Sequence, residues 1–94
     1  MTQEDNFKNL CNLTTELVGL PKGSLSNRSR EQKYQIPRAV ISVIARQEEN
    51  IHRDIIGKGI DRDRTCVNHY EKFHKANYKS YERYRKTYID VYIA

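Results

Sequence analysis

The segment Asp61-Arg62-Asp63-Arg64-Thr65-Cys66-Val67 gathers two guanidinium groups, two carboxylates, a hydroxyl and a thiol within one or two helical turns. A guanidinium presents two parallel N–H donors, which match guanine O6 and N7 or a phosphate, so Arg62 and Arg64 are candidate base readers. Asp63 has two uses: accepting from a cytosine amino group, or capping the helix that starts here and bracing a neighbouring arginine. The Thr65 hydroxyl suits a phosphate and its methyl suits thymine. Cys66 adds a small apolar contact if it faces a groove and packs in the core if it does not. This chemistry recognises a polyanion and makes or breaks no covalent bond.

Elsewhere the chain supplies cations for a phosphate backbone: Arg28, Arg30, Lys33, Arg38, Lys58, His69 and Lys72, with Arg46 and Lys75 as further members. Lysine and arginine number 17 against 12 aspartates and glutamates, a formal charge of +5 that favours a polyanionic partner. Residues 24–35 are polar and basic, either a solvated linker or a loop that contacts phosphate or the minor groove. Arg46 has a competing use on the helix surface beside Glu48–Asn50.

Other chemistries find less support. Cys66, His69 and His74 have a spacing that suggests metal ligation, but a fourth ligand is missing, so no metal is expected. No glycine elbow accompanies a nucleophile, no Gly-x-x-x-x-Gly-Lys-Ser/Thr loop is present, and neither catalysis nor a cofactor is expected. Cys11 and Cys66 lie far apart without a Cys-x-x-Cys, which favours a reduced cytoplasmic setting. The acidic start Met-Thr-Gln-Glu-Asp lacks a basic, apolar leader, and no apolar run has the length of a membrane span.

Helices must position these groups. With four glycines, two prolines and no hairpin signal among 94 residues, the expected fold is all-α, a small helical bundle forming one domain over 1–94. Phe7, Leu10, Cys11, Leu13, Thr14, Leu17 and Val18 mark a first helix ended by Gly19 and Pro21. Pro37 marks the first turn of a second, whose run Val40, Ile41, Val43, Ile44 and Ala45 is the expected centre of the core. A short helix over 51–58, with Asn50 as N-cap, then precedes a turn at Gly57, Gly59 and Ile60, where glycine would supply a positive φ. The pattern becomes helical again from Asp63. Two helices joined by a turn across about 51–75 make a helix-turn-helix. The final helix, about 77–93, carries Tyr78, Tyr81, Tyr84, Tyr88 and Tyr92 at three- or four-residue spacing. Asn77 separates it from the preceding helix, or the two form one rod. The stripe either packs on its own domain or a second copy, binds a host protein, or stacks unpaired bases.

Taken together, Pro37-Arg38, Ala45-Arg46, Ile56-Gly57 and Arg62-Asp63-x-Thr65-x-Val67, with His69 following, resemble the C-terminal DNA-binding domain of the bacterial replication initiator DnaA. The resemblance spans about residues 5–90. It implies that the Arg62 segment opens a recognition helix for the major groove, while the basic loop upstream touches the minor groove. Arg62, Asp63 and Thr65 match the family pattern; Arg64 stands for its histidine and Cys66 for its second threonine, which implies an altered site preference. One glycine of the turn is absent, and Glu48 and Arg53 stand where leucines are usual. The implied function is sequence-preferring binding of double-stranded DNA in replication control or transcriptional regulation. As a stand-alone module without an ATP-using motor, it would be phage- or plasmid-encoded and associated with the nucleoid. The contrasting expectation is a protein-interaction module working through Tyr78, Tyr81, Tyr84 and Tyr88.

Overall fold

Apolar residues recurring every three or four positions become helices throughout the computed structural model, which describes residues 2–94. These are α1 (Gln3–Val18), α2 (Gln32–Gln47), α3 (Arg53–Gly59), α4 (Arg64–Ser80) and α5 (Glu82–Ile93), with one 3-10 turn at Ser24–Ser26. The fold is a small all-α bundle, and the described residues contain no strand. No helix among them is long and apolar enough to cross a membrane.

Helix α1 begins where the Thr2 hydroxyl accepts from the Asp5 amide at 3.1 Å, and Glu4 and Asp5 complement the positive end of its dipole. It ends at Gly19, whose φ of 76° lets the chain turn under the last carbonyls. Helix α2 starts five residues before Pro37, which corrects the expected boundary. Asn27 and Ser29 fold the preceding loop through local side-chain bonds, so the helix can begin at Gln32. Pro37 therefore sits inside α2. The carbonyl it leaves without a donor belongs to Lys33, at the exposed helix start. The polar stretch 24–35 is thus part 3-10 turn, part loop and part helix, with Lys33 on the first turn of α2.

Every residue of α2 from Ile36 to Ala45 is buried, as suits a helix surrounded on all sides. One side joins Phe7, Leu25, Ile41, Ala45, Ile51, Ile56, Ile60 and Val67 in a cluster shared by α1, α3 and α4. The other joins Ile36, Ala39, Val40, Ile44, Tyr84 and Val91, closed by Tyr78, Tyr81 and Tyr88. Each fully buried Ile or Val contributes about 1.5–3 kcal/mol, so α2 is the element on which the remaining helices are assembled.

Helix α3 runs from Arg53 to Gly59 and is capped by His52, whose Nδ1 accepts from the Asp54 amide at 3.1 Å. Asn50 is instead a positive-φ residue of the connection, so its expected capping role is corrected. The glycines also act differently from expectation. The positive φ of the turn after α3 belongs to Asp61, at 55°, while Gly57 and Gly59 are helical. Gly57 permits close approach: a Cβ there would lie 2.6 Å from the Arg62 carbonyl oxygen, and its own carbonyl accepts from the Arg62 amide at 2.7 Å. At Gly59 a Cβ would meet the Phe7 ring.

The break between α4 and α5 falls at Tyr81, not Asn77. Tyr81 is extended (φ −118°, ψ 100°), and the Arg85 guanidinium reaches back to the Tyr78 and Lys79 carbonyls at the end of α4. The reversal folds the tyrosine stripe inward. Tyr84 is 2% exposed, and its hydroxyl lies 2.7 Å from His74 Nδ1. His74 packs against Tyr78, Tyr84 and Tyr88, with ring centroids 4.8–5.9 Å away. Burial raises the Tyr84 pKa and lowers that of His74, so the hydroxyl donates to a neutral imidazole. Of the uses open to the stripe, packing on its own domain is the one seen: Tyr84 is buried and unavailable to a partner, and Tyr78, Tyr81 and Tyr88 are half-buried against the core.

Two outcomes follow from this packing. Gly57→Ala should destabilise the fold by about 1–3 kcal/mol in a urea titration, because overpacking against backbone outweighs the usual helical gain from alanine. Stability should also fall as pH drops below about 6.5, because the unfolded chain protonates His74 before the folded one does. Titrations at about pH 7 and pH 5 should show a smaller decline for His74→Gln than for the parent.

Candidate nucleic-acid interface

Helix α4 carries most of the sequence-predicted groups, and its winding sorts them into two faces. Val67, Tyr70, Glu71, His74 and Tyr78 turn inward to different degrees. Arg64, Thr65, Asn68, His69, Lys72, Lys75 and Lys79 are exposed and follow one another along the opposite face at helical spacing. Asn68 was missed in the sequence, although it lies four residues beyond Arg64. Asp63 is exposed and acts as the N-cap, its Oδ1 accepting from the Thr65 amide at 3.2 Å. His69 leans on Phe73, with centroids 4.4 Å apart, and Lys72 lies over the same ring.

Two of the expected DNA contacts prove to be internal. Arg38 is 1% exposed, and its guanidinium donates to the Leu25, Asn27 and Ser29 carbonyls and to Asn27 Oδ1, all within 2.7 Å. It therefore holds the loop and is not available to a phosphate. Arg62 is half-buried and donates to the Asn27 carbonyl at 3.2 Å and to the Asp61 carbonyl at 2.9 Å. Its expected base-reading role is corrected to a brace between the α3–α4 turn and the loop. Both corrections share a cause: main-chain carbonyls turned inward need donors, and a guanidinium offers five.

This brace fixes where the basic loop lies. Asn27 accepts from both arginines, which ties the loop carrying Arg28 and Arg30 to the α3–α4 turn. The two guanidiniums are compensated by carbonyls and by the Tyr34 ring, 5.7 Å from Arg38, and by no carboxylate among the described residues. Burial, then the charge of Arg62, lowers the Arg38 pKa. Arginine nevertheless stays protonated, so the region keeps its positive charge. Cys66 is half-buried, and together with burial it raises the pKa of the nearby Tyr70.

Arg28, Arg30, Lys58 and Lys72 are exposed and have no ion pair among the described residues. Lys33 pairs with Glu31 at 3.8 Å. Arg64 approaches Asp54 at 3.7 Å, but both side chains are about 60% exposed, so the pair adds little stability and opens readily. A firmer contact lies behind this surface. Glu71 accepts from Arg53 through both carboxylate oxygens, at 2.9 and 3.3 Å, and Arg46 Nε stands 3.5 Å away. It joins α2, α3 and α4 and accounts for Arg46, which also donates to the Ile51 carbonyl.

Cys66, His69 and His74 do not converge: one faces Tyr70, one Phe73 and one the tyrosine cluster. No group of three or more His, Cys, Asp or Glu residues among the described residues has the geometry to hold a metal.

No family model matches the chain, and no curated protein or solved structure does either.

The clamp is tested by Arg38→Met, which removes the donors and keeps much of the volume. It should cost more than about 2 kcal/mol, because several inward carbonyls lose their partners. Arg38→Lys should recover only part of this, since an ammonium cannot span the same acceptors. Amide chemical shifts at Asn27–Arg30 should move in both variants.

Proposed function

We propose that this chain binds double-stranded DNA through the start of α4, in the manner of a helix-turn-helix formed by α3, the Ile60–Asp63 turn and α4. In this reading Arg64, Thr65 and Asn68 face base edges in the major groove. Arg64 suits guanine, and an asparagine amide suits the N6 and N7 edge of adenine. Arg28 and Arg30 reach the flanking phosphates or minor groove. Lys58, His69 and Lys72 meet the backbone, and Lys33 stands at the margin.

The observation that carries this reading is the 3.2 Å bond from Arg62 to the Asn27 carbonyl. It ties the loop that carries Arg28 and Arg30 to the turn ahead of the exposed first turn of a 17-residue helix, which supports reading and anchoring groups acting together. The resemblance to the DnaA C-terminal domain adds to it through Arg62-Asp63-x-Thr65-x-Val67. Within that resemblance, Arg62 and Asp63 organise the helix start, and discrimination falls to the exposed Arg64, Thr65 and Asn68. A role in replication control or transcription, on the nucleoid of a cell or of an invading phage or plasmid, accords with such binding.

Selection of bound duplexes from a random pool, followed by fluorescence polarisation, tests the proposal. Arg64→Ala should weaken binding to the selected site by about 1–3 kcal/mol and flatten preference at one or two positions. Arg30→Ala should weaken all duplexes alike and reduce the logarithmic salt slope by about one. Absence of duplex binding at low salt, or equal and sequence-blind losses from both variants, would overturn it.

A further inference from the structure

Away from the outer face of α4, helices α1 and α3 and the 3-10 turn border an open cleft of about 630 Å³. The half-buried Cys11 and Ile55 line it above a floor of buried Phe7 and Leu25, while Lys8, Lys22 and Lys58 contribute to its border. Its volume lies within the 300–1,000 Å³ typical of small-molecule sites. All three lysines are exposed, and none has an ion pair among the described residues. Two carboxylates also border the space. Asp54 lies 3.6 Å from His52 and 3.7 Å from Arg64, both contacts between exposed side chains, and Glu4 sits in the first turn of α1, so the border carries three ammoniums against two carboxylates.

We infer that this cleft is a binding site for a small amphipathic anion, an organic carboxylate with an aliphatic or aromatic body. The body would lie against the half-buried Cys11 and Ile55, over a floor formed by the buried Phe7 and Leu25. The carboxylate would accept from the lysine ammoniums at the border, where it remains partly hydrated. A cation of the same shape gains the apolar contact but meets three unpaired ammoniums, so the site discriminates by sign of charge. Cys11 serves as apolar wall: burial pushes its thiol pKa up to about 12, which keeps it protonated.

The site shares Asp54 and Lys58 with the surface beside Arg64. An anion held there competes with DNA for cationic side chains, so occupancy and duplex affinity oppose each other by the same factor. That coupling rests on the DNA-binding reading, whereas ligand binding does not.

Titration of the full chain with decanoate, kept below its micelle concentration and followed by backbone amide shifts, tests the site directly. Saturable one-to-one shifts centred on Cys11, Thr15, Leu25 and Ile55 are expected, with decyltrimethylammonium binding at least about tenfold more weakly. Asn12→Trp, which projects a ring into the cleft from α1, should abolish these shifts while the melting profile stays cooperative. The triple variant Lys8→Ala, Lys22→Ala, Lys58→Ala should weaken decanoate binding by about tenfold or more and remove the preference over the cation. Unsaturable shifts, shifts spread away from the cleft, or equal binding of the two amphiphiles would overturn the inference, as would unchanged affinity in the triple variant. Saturable binding with no effect on duplex affinity would uphold the site and remove only the coupling.

Discussion

A single buried cation organises much of this molecule. Arg38 lies in the most buried helix, and its guanidinium donates to three main-chain carbonyls and one side-chain oxygen from the segment that precedes that helix. A loop of this length would otherwise face its carbonyls toward water. Here it is drawn onto the core, and Arg62 joins the same acceptor from the opposite side. Charge and architecture are linked as a result: the contacts that order the loop leave two positive charges without carboxylate partners. The exposed cations Arg28 and Arg30 are consequently carried on a frame tied to the turn ahead of α4.

Around that frame the packing has two centres, and α2 belongs to both. One centre locks α1, α3 and the start of α4, and it includes Ile41, Ile51, Ile56 and Ile60, each with no exposed surface. The other brings α5 back onto α2 through Tyr84 and Val91. The bidentate Arg53–Glu71 contact bridges α3 and α4 at the side. Glycine at 57 then lets the chain pass within hydrogen-bonding distance of α3 as it enters α4. The orientation of the candidate interface thus depends on contacts behind it and very little on the side chains proposed to touch DNA, which leaves those side chains free of structural duty.

The C-terminal helix shows how the same pattern can serve opposite ends. Tyrosines at three- and four-residue spacing describe a face, but not what that face meets. The extended residue at Tyr81 reverses the chain, so the stripe closes over His74 and the second apolar cluster. What remains outside is the far end of α5, where Tyr92 and Ile93 are 52% and 75% exposed.

Helical class, the termination of α1 at Gly19, the centrality of α2 and the capping of α4 by Asp63 were all determined by the sequence itself. Periodicity and capping act between residues a few positions apart and need no knowledge of the rest of the chain. The basic character of the Arg28–Arg30 loop and of the α4 surface was equally plain from composition. Which arginine faces solvent was not. Arg38, Arg62 and Arg64 have the same side chain, and the last two both adjoin Asp63, yet the tertiary fold turns the first two onto inward carbonyls and leaves the third outside. The start of α2 ahead of Pro37, the close-approach role of Gly57 and the reversal at Tyr81 rest on particular side-chain and backbone contacts within a few residues, which apolar periodicity alone does not reveal. Burial and hydrogen-bond saturation are properties of the assembled molecule, so they decide the fate of a polar side chain where local spacing can only nominate it.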